Sequence, residues 1–195
     1  ADGTDGVLKV MRSYQYYAAN AISDKVAKTV WSAGALYTGD RLGGYVWHTT
    51  GSGKTMTSFK SAQLIAQSKE ADKVVFLMDR IELGTQSLQE YRGFAGDSEA
   101  VQATENTHVL VTKLKSTNPA DTLIVSSIQK MSNIKQDAAS EAVSFKSDDI
   151  ERINAKRLVF IVDEAHRSTF GDMLITIKKT FPAALFFGFT GTPIQ

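Results

Sequence analysis

Two short stretches carry residue types that could do phosphate chemistry. The first is "TGSGKT", Thr50 to Thr55. Gly51, Ser52 and Gly53 let the backbone curl so that successive N–H groups point inward at phosphate oxygens, with Thr50 at the entrance. A helix starting at Lys54 would add the positive end of its dipole. Lys54 can bridge terminal phosphates, and Thr55 can place its hydroxyl on Mg²⁺. The strict phosphate-loop pattern has glycine at position 48, where this chain has His48. The other chemical parts are retained. The blander alternative is a glycine turn that only caps a helix.

The second stretch is "LVFIVDEAH". A buried apolar run ends in two adjacent carboxylates, and such groups are costly to desolvate without a cation to face. Asp163 suits a Mg²⁺ ligand, and Glu164 a group that orients and deprotonates a water attacking a γ-phosphate. Alone, an acidic pair closing a strand is often a solvated loop. Paired with the lysine–threonine loop far upstream, it reads as a nucleotide hydrolase. A kinase would not need the adjacent glutamate.

The elements that must position these groups follow from hydrophobic spacing. In residues 14–31, Ala18, Ile22, Val26 and Val30 recur every fourth position and predict an amphipathic helix. Residues 40–44 read as a turn and 45–47 as a short strand. After the loop, Met56, Phe59, Ala62 and Ile65 share one helical face. "KVVFLM" (73–78), "TLIVSS" (122–127), "LVFIV" (158–162) and "ALFFGF" (184–189) are runs expected of strands buried on both sides. Residues 82–92 suit a helix, 100–103 a short strand, and 106–115 a helix more than a strand. A polar stretch over 135–157 joins two strands. Strands alternating with helices imply an α/β fold with a mainly parallel sheet and helices on both faces. Ligands of such sheets sit at the carboxyl ends of the strands, where each candidate motif falls.

Composition narrows the class. The 195 residues carry 22 Lys plus Arg against 21 Asp plus Glu, so nucleic-acid contact must come from a local face. Cysteine is absent, and His48, His108 and His166 are scattered, which excludes disulfides and argues against zinc. The apolar runs are too short to cross a bilayer, and no signal peptide opens the chain, so a cytoplasmic domain is expected with no membrane partner. Residues 1–9 read as a linker from a preceding region, and 10–195 as one domain cut from a larger protein.

"GGYVWHTTGSGKT", "FLMDRIELGTQ", "SSIQKM", "VDEAHRS" and "GFTGTPI" together resemble the first RecA-like motor domain of superfamily 2 helicases and translocases. More narrowly, they are similar to the motor of the restriction subunit of type I restriction-modification enzymes, over about residues 10–195. The resemblance implies a RecA-like three-layer αβα sandwich with ATP and Mg²⁺ as cofactors. It implies an ATP hydrolase that translocates double-stranded DNA before cleavage. Gln15 in "RSYQ" would read adenine, with Arg12 assisting, because an amide both donates and accepts. Without the resemblance, a helix-surface glutamine is the simpler reading. Asp79 and Arg80, and then Ser126, Ser127 and Gln129, would line the DNA path by holding phosphates without reading sequence. Strand-end caps are the alternative. His166 and Thr190, Gly191 and Thr192 would couple the nucleotide and DNA sites. The other reading is an ATP-regulated nucleic-acid-binding module, or a domain of a different superfamily 2 helicase.

The resemblance also implies partners: a nuclease domain and a second RecA-like domain in the same parent chain, and methyltransferase and specificity subunits in the complex. Arginines reaching the nucleotide from a second domain contribute ~10³–10⁵ in rate. The isolated domain is therefore expected to hydrolyse ATP hardly at all.

Overall fold

The computed structural model describes residues 11–29, 31, 43–47, 54–78, 102–103, 106–134, 147–163 and 168–191. The sequence expectation of a helix over 82–92 lies outside them. In chain order the elements are α1 (Ser13–Ala27), β1 (Gly43–Trp47), α2 (Lys54–Ser68), β2 (Lys73–Met78), β3 (Gln102–Ala103), α3 (Thr107–Lys115), β4 (Leu123–Ser127), α4 (Ile128–Ser132), α5 (Ser147–Asn154), β5 (Leu158–Val162), α6 (Ser168–Thr180) and β6 (Leu185–Thr190). A 3₁₀ turn, Pro119–Asp121, precedes β4.

Among the described residues the six strands form one sheet in the order β1-β6-β5-β2-β4-β3, and each pairing is parallel. Alternation along the strands divides the core in two. Val74, Phe76, Val159, Ile161, Phe187 and Phe189 face α1 and α2, where Ile22, Val26, Phe59 and Ile65 are buried. Val75, Leu77, Phe160, Val162 and Phe186 face the other way, onto Leu110, Met131, Ile153, Ile177 and Phe181. β2, β4, β5 and β6 are therefore buried on both sides, which is why they read as unbroken apolar runs. Ring contacts tighten each half: Phe59 meets Phe76 edge-on at 6.0 Å, and Phe160 stacks on Phe186 at 4.7 Å. Fully burying one such ring stabilises the fold by about 1.5–3 kcal/mol.

Several boundaries differ from the sequence expectation. The first helix ends at Ala27, capped by the Lys28 N–H to Asp24 O, and its buried stripe is Gln15, Ala19, Ile22 and Val26. Ala18, placed on that stripe by spacing alone, is only half-buried. Gly43 and Gly44, expected in a turn, belong to β1. Gly43 has φ +148, and a Cβ there would lie 1.6 Å from the Phe186 carbonyl oxygen. The glycine lets β1 pair closely with β6, and the Lys25 ammonium on α1 donates to the Gly43 carbonyl. Residues 107–115 are helical, with Asn106 Oδ1 accepting the Val109 N–H as N-cap. The polar stretch over 135–157 contains α5, whose Ile150 and Ile153 are buried.

Candidate nucleotide site at the carboxyl edge of the sheet

Parallel pairing brings the carboxyl ends of β1, β6, β5, β2 and β4 to one edge. Trp47, the last residue of β1, is in register with Thr190, the last of β6. On β6's other side, Val162 of β5 is in register with Gly188. β5 continues into Asp163, whose N–H donates to Leu77 O at 3.1 Å and extends the ladder with β2. Met78, ending β2, is in register with Ser127, ending β4. The strands that precede the glycine loop, the acidic pair and the threonine-glycine turn are thus neighbours, β6 standing between the other two.

Lys54 and Thr55 are the first two residues of α2, so the loop before them runs directly into a helix N-terminus. Thr50, Gly51, Ser52 and Gly53, the side chains of Lys54 and Thr55, and Asp79, Arg80, Glu164, His166 and Thr192 lie outside the described residues. Asp163 retains only 8% of its accessible surface. A carboxylate this buried at a strand tip is suited to facing a cation. Thr190 is buried at the end of β6, and Gly191 follows it.

Gln15 is not a surface glutamine: it is 2% exposed and occupies the first position of α1's buried stripe. Its Oε1 accepts the Arg12 N–H at 2.8 Å, while the Arg12 carbonyl accepts the Gln15 N–H at 3.0 Å. This reciprocal pair fixes the entry to α1 and satisfies backbone groups that a helix end leaves unpaired. Arg12 itself is exposed.

The three residues expected on the DNA path at the end of β4 occupy different environments. Ser126 is wholly buried. The Ser127 hydroxyl accepts the Lys130 N–H at 3.2 Å as the N-cap of α4. Gln129 is exposed on α4.

Sequence reasoning assigned no role to Trp47. Its indole Nε1 donates to the Gly191 carbonyl at 3.4 Å and so ties the strand before the glycine loop to the turn after β6. An exposed tryptophan closing a strand, in a stretch already singled out, was the available signal.

Among the described residues no group of three or more His, Cys, Asp or Glu could hold a metal ion. Mg²⁺ brought by a triphosphate needs one or two carboxylates from the protein and takes its other ligands from phosphate and water. Of the two residues expected from the sequence to hold it, Asp163 is a buried carboxylate at the end of β5, and the Thr55 side chain lies outside the described residues.

A parallel sheet with these three strand ends adjacent has the α/β arrangement of a RecA-like fold, and the sequence "TGSGKT" ahead of α2 is of the type found in P-loop nucleotide hydrolases. The sequence profile of the SWI2/SNF2 ATPase family matches residues 14–195, and the chain belongs to that family. A type I restriction enzyme endonuclease subunit of Staphylococcus aureus (strain COL) is 42% identical over 190 residues, covering 97% of this chain and 18% of the relative. A Mycoplasma pneumoniae chain, described as the C-terminal part of a type I restriction enzyme endonuclease subunit, is 37% identical over 174 residues, covering 89% of this chain and 80% of its own length. The chain therefore spans about a fifth of the length of the staphylococcal relative.

Among solved structures, a nuclease-deletion mutant of the Type ISP restriction-modification enzyme LlaGI, in complex with a DNA substrate mimic, superposes with a TM-score of 0.57 at 20% identity. That match covers 95% of this chain and 18% of the other. The DUF1998 helicase MrfA gives 0.54 at 14% identity, covering 98% and 28%. These likenesses show the fold.

Proposed function

We propose that this chain is the ATP-binding half of the DNA-translocating motor of a type I restriction enzyme's restriction subunit, working in the cytoplasm on double-stranded DNA. The observation that carries this reading is the adjacency of β1, β6 and β5 in the sheet. It supports a single Mg²⁺–triphosphate held between the loop ahead of Lys54 and the acids that follow β5. Mg²⁺, which Asp163 and Thr55 would hold, would supply charge neutralisation at the phosphates. Lys54 contacts the terminal phosphates, and the loop amides at Gly51, Ser52 and Gly53 cradle them. Glu164 orients and deprotonates the attacking water, and Gln15 recognises adenine. His166 and the turn at Thr190, Gly191 and Thr192 pass the state of the γ-phosphate to the DNA-facing loops. Asp79, Arg80, Ser126, Ser127 and Gln129 would line that path and hold DNA phosphates. A second RecA-like domain would complete the site, a nuclease domain in the same parent chain would cut, and methyltransferase and specificity subunits would choose the DNA site.

The test is ATP turnover in the intact parent protein with and without duplex DNA, beside triplex displacement as a measure of movement. DNA-stimulated turnover and displacement, both abolished by Lys54→Ala, are expected. Full turnover without DNA would count against the motor. DNA binding modulated by ATP without displacement would favour a nucleic-acid-binding module instead.

A further inference from the structure

β1 is the outermost strand on its side of the sheet and, among the described residues, pairs with β6 alone. Natural sheets blunt such an edge with short length, charge or proline. The opposite edge, β3, has only two residues, whereas β1 has five, "GGYVW", with neither charge nor proline. Along β1, Val46 packs against the first core, so Tyr45 and Trp47 point the other way. They are in register with Gly188 and Thr190, on the face where Phe186 joins the second core. Both remain open to solvent, Tyr45 at 59% and Trp47 at 64%. Rings with an apolar body and a polar tip are characteristic of interfaces.

The handedness of the fold says what fits there. The connections β3 to β4, β4 to β5 and β5 to β6 all step toward β1, and their helices α3, α4, α5 and α6 all pack on the second core's face. The connection from β1 to β2 steps the opposite way, and its helix α2 lies on the first core's face. One hand describes them all, as parallel crossovers require. A further step from β6 past β1 therefore puts its helix on the second core's face, over Tyr45 and Trp47, and its strand on the free edge of β1. The neutral strip offers no charge to nucleic-acid phosphates, and the nearby Lys178 ammonium lies over the Phe186 ring, 5.4 Å from its centroid. The match covers 18% of the staphylococcal relative, so a parent of that size has ample further chain.

We propose that the outer flank of β1 docks a helix–strand unit of the longer parent chain, the strand extending the sheet in parallel and an apolar helix face covering Tyr45 and Trp47. This rests on the reading of the chain as part of a longer parent. The test is hydroxyl-radical footprinting, resolved by mass spectrometry, of this chain and of the intact parent. Tyr16, 57% exposed on α1, is the internal standard. In this chain Tyr45 and Tyr16 should oxidise at similar rates. In the parent, oxidation of Tyr45 and Trp47 should fall about tenfold relative to Tyr16, because interface cores pack as densely as interiors. Tyr45→Lys should lower the parent's melting temperature and restore oxidation of Trp47, while leaving the melting of this chain unchanged. Equal oxidation of Tyr45 and Tyr16 in the parent would overturn the proposal, as would an equal loss of stability in chain and parent. So would protection that appears in this chain at high concentration, which indicates a second copy, or only on adding duplex DNA. The motor reading is judged by ATP turnover instead, so the two ideas fail separately.

Discussion

Trp47 and Gly191, 144 residues apart in the chain, are joined by a hydrogen bond from the indole N–H to the glycine carbonyl. The bond crosses the β1–β6 pairing just beyond its last register pair, Trp47 with Thr190. It links the backbone entering the glycine loop to the turn proposed as a coupler. At 3.4 Å, with Trp47 64% exposed, it belongs to the weaker end of the hydrogen-bond range. Trp47→Phe keeps an aromatic ring and removes the donor. The expected result is a parent protein of unchanged melting temperature whose DNA-stimulated ATP turnover falls about two- to tenfold, in proportion to one ordinary hydrogen bond. Unchanged turnover would make the contact incidental.

Gly43 sets how closely the edge strand approaches its neighbour. An added Cβ would collide with the Phe186 backbone, and the left-handed φ is itself unfavourable for other residues. Gly43→Ala should destabilise the chain by about 1–3 kcal/mol and weaken ATP binding with it, since β1 leads into the glycine loop. Gly44 has open space around its Cβ position except for the Lys25 ammonium 3.9 Å away. Gly44→Ala is therefore the control, expected to change both quantities little. Denaturant unfolding and nucleotide titration measure them.

Gln15 serves two purposes in this reading, and they separate experimentally. Its Oε1 fixes the start of α1 through the Arg12 N–H, so Gln15→Ala should cost about 0.5–2 kcal/mol, as the loss of a cap does. If its amide also reads adenine, the preference for ATP over GTP should disappear in the same variant. A cap-only role would lower stability and leave the ATP-to-GTP ratio as it was.

Asp72 and Arg157 join the start of β2 to the start of β5. The Asp72 carboxylate also accepts the Arg157 backbone N–H at 2.8 Å. The Arg157 side-chain hydrogen bond holds the Asp72 pKa below its ordinary 3.8, against the opposing effect of burial. A depressed carboxylate pKa stabilises the fold at pH values above the ordinary one, and that contribution is lost as pH falls through the depressed value. Both side chains are more than a third exposed, so the pair is expected to contribute only about 0.2–1 kcal/mol. Asp72→Asn should lower unfolding free energy by that amount at neutral pH. The difference from the unsubstituted chain should close in strong acid, as followed by urea unfolding across pH.

The legible and illegible parts of this fold differ for physical reasons. β2, β4, β5 and β6 were readable because burial on both faces leaves no polar position to blur the run. α2 was readable because Phe59, Ala62 and Ile65 share one face at helical spacing. α5 was missed: with eight residues and two buried isoleucines, it is too short to display a period. α6 was also missed, since Gly171 and the β-branched run Ile175, Thr176, Ile177 disfavour a helix locally. Tertiary burial of Ile177 overrides that preference. At the candidate site, the residue types of the glycine loop and the acids were plain. The burial of Gln15 was not, and capping by Ser127 was one of two open readings, because both depend on what packs around them.

The linear sequence by itself determined which groups are available for chemistry and that each follows a strand, because side-chain type and hydrophobic period are local properties. Only the tertiary structure decided which strand ends are neighbours. The order β1-β6-β5-β2-β4-β3 bears little relation to chain order, being set by backbone ladders between distant residues and by two cores that close only when the sheet has formed. That order sets the strand leading into the glycine loop one strand away from Asp163, and it leaves Tyr45 and Trp47 exposed on an edge strand.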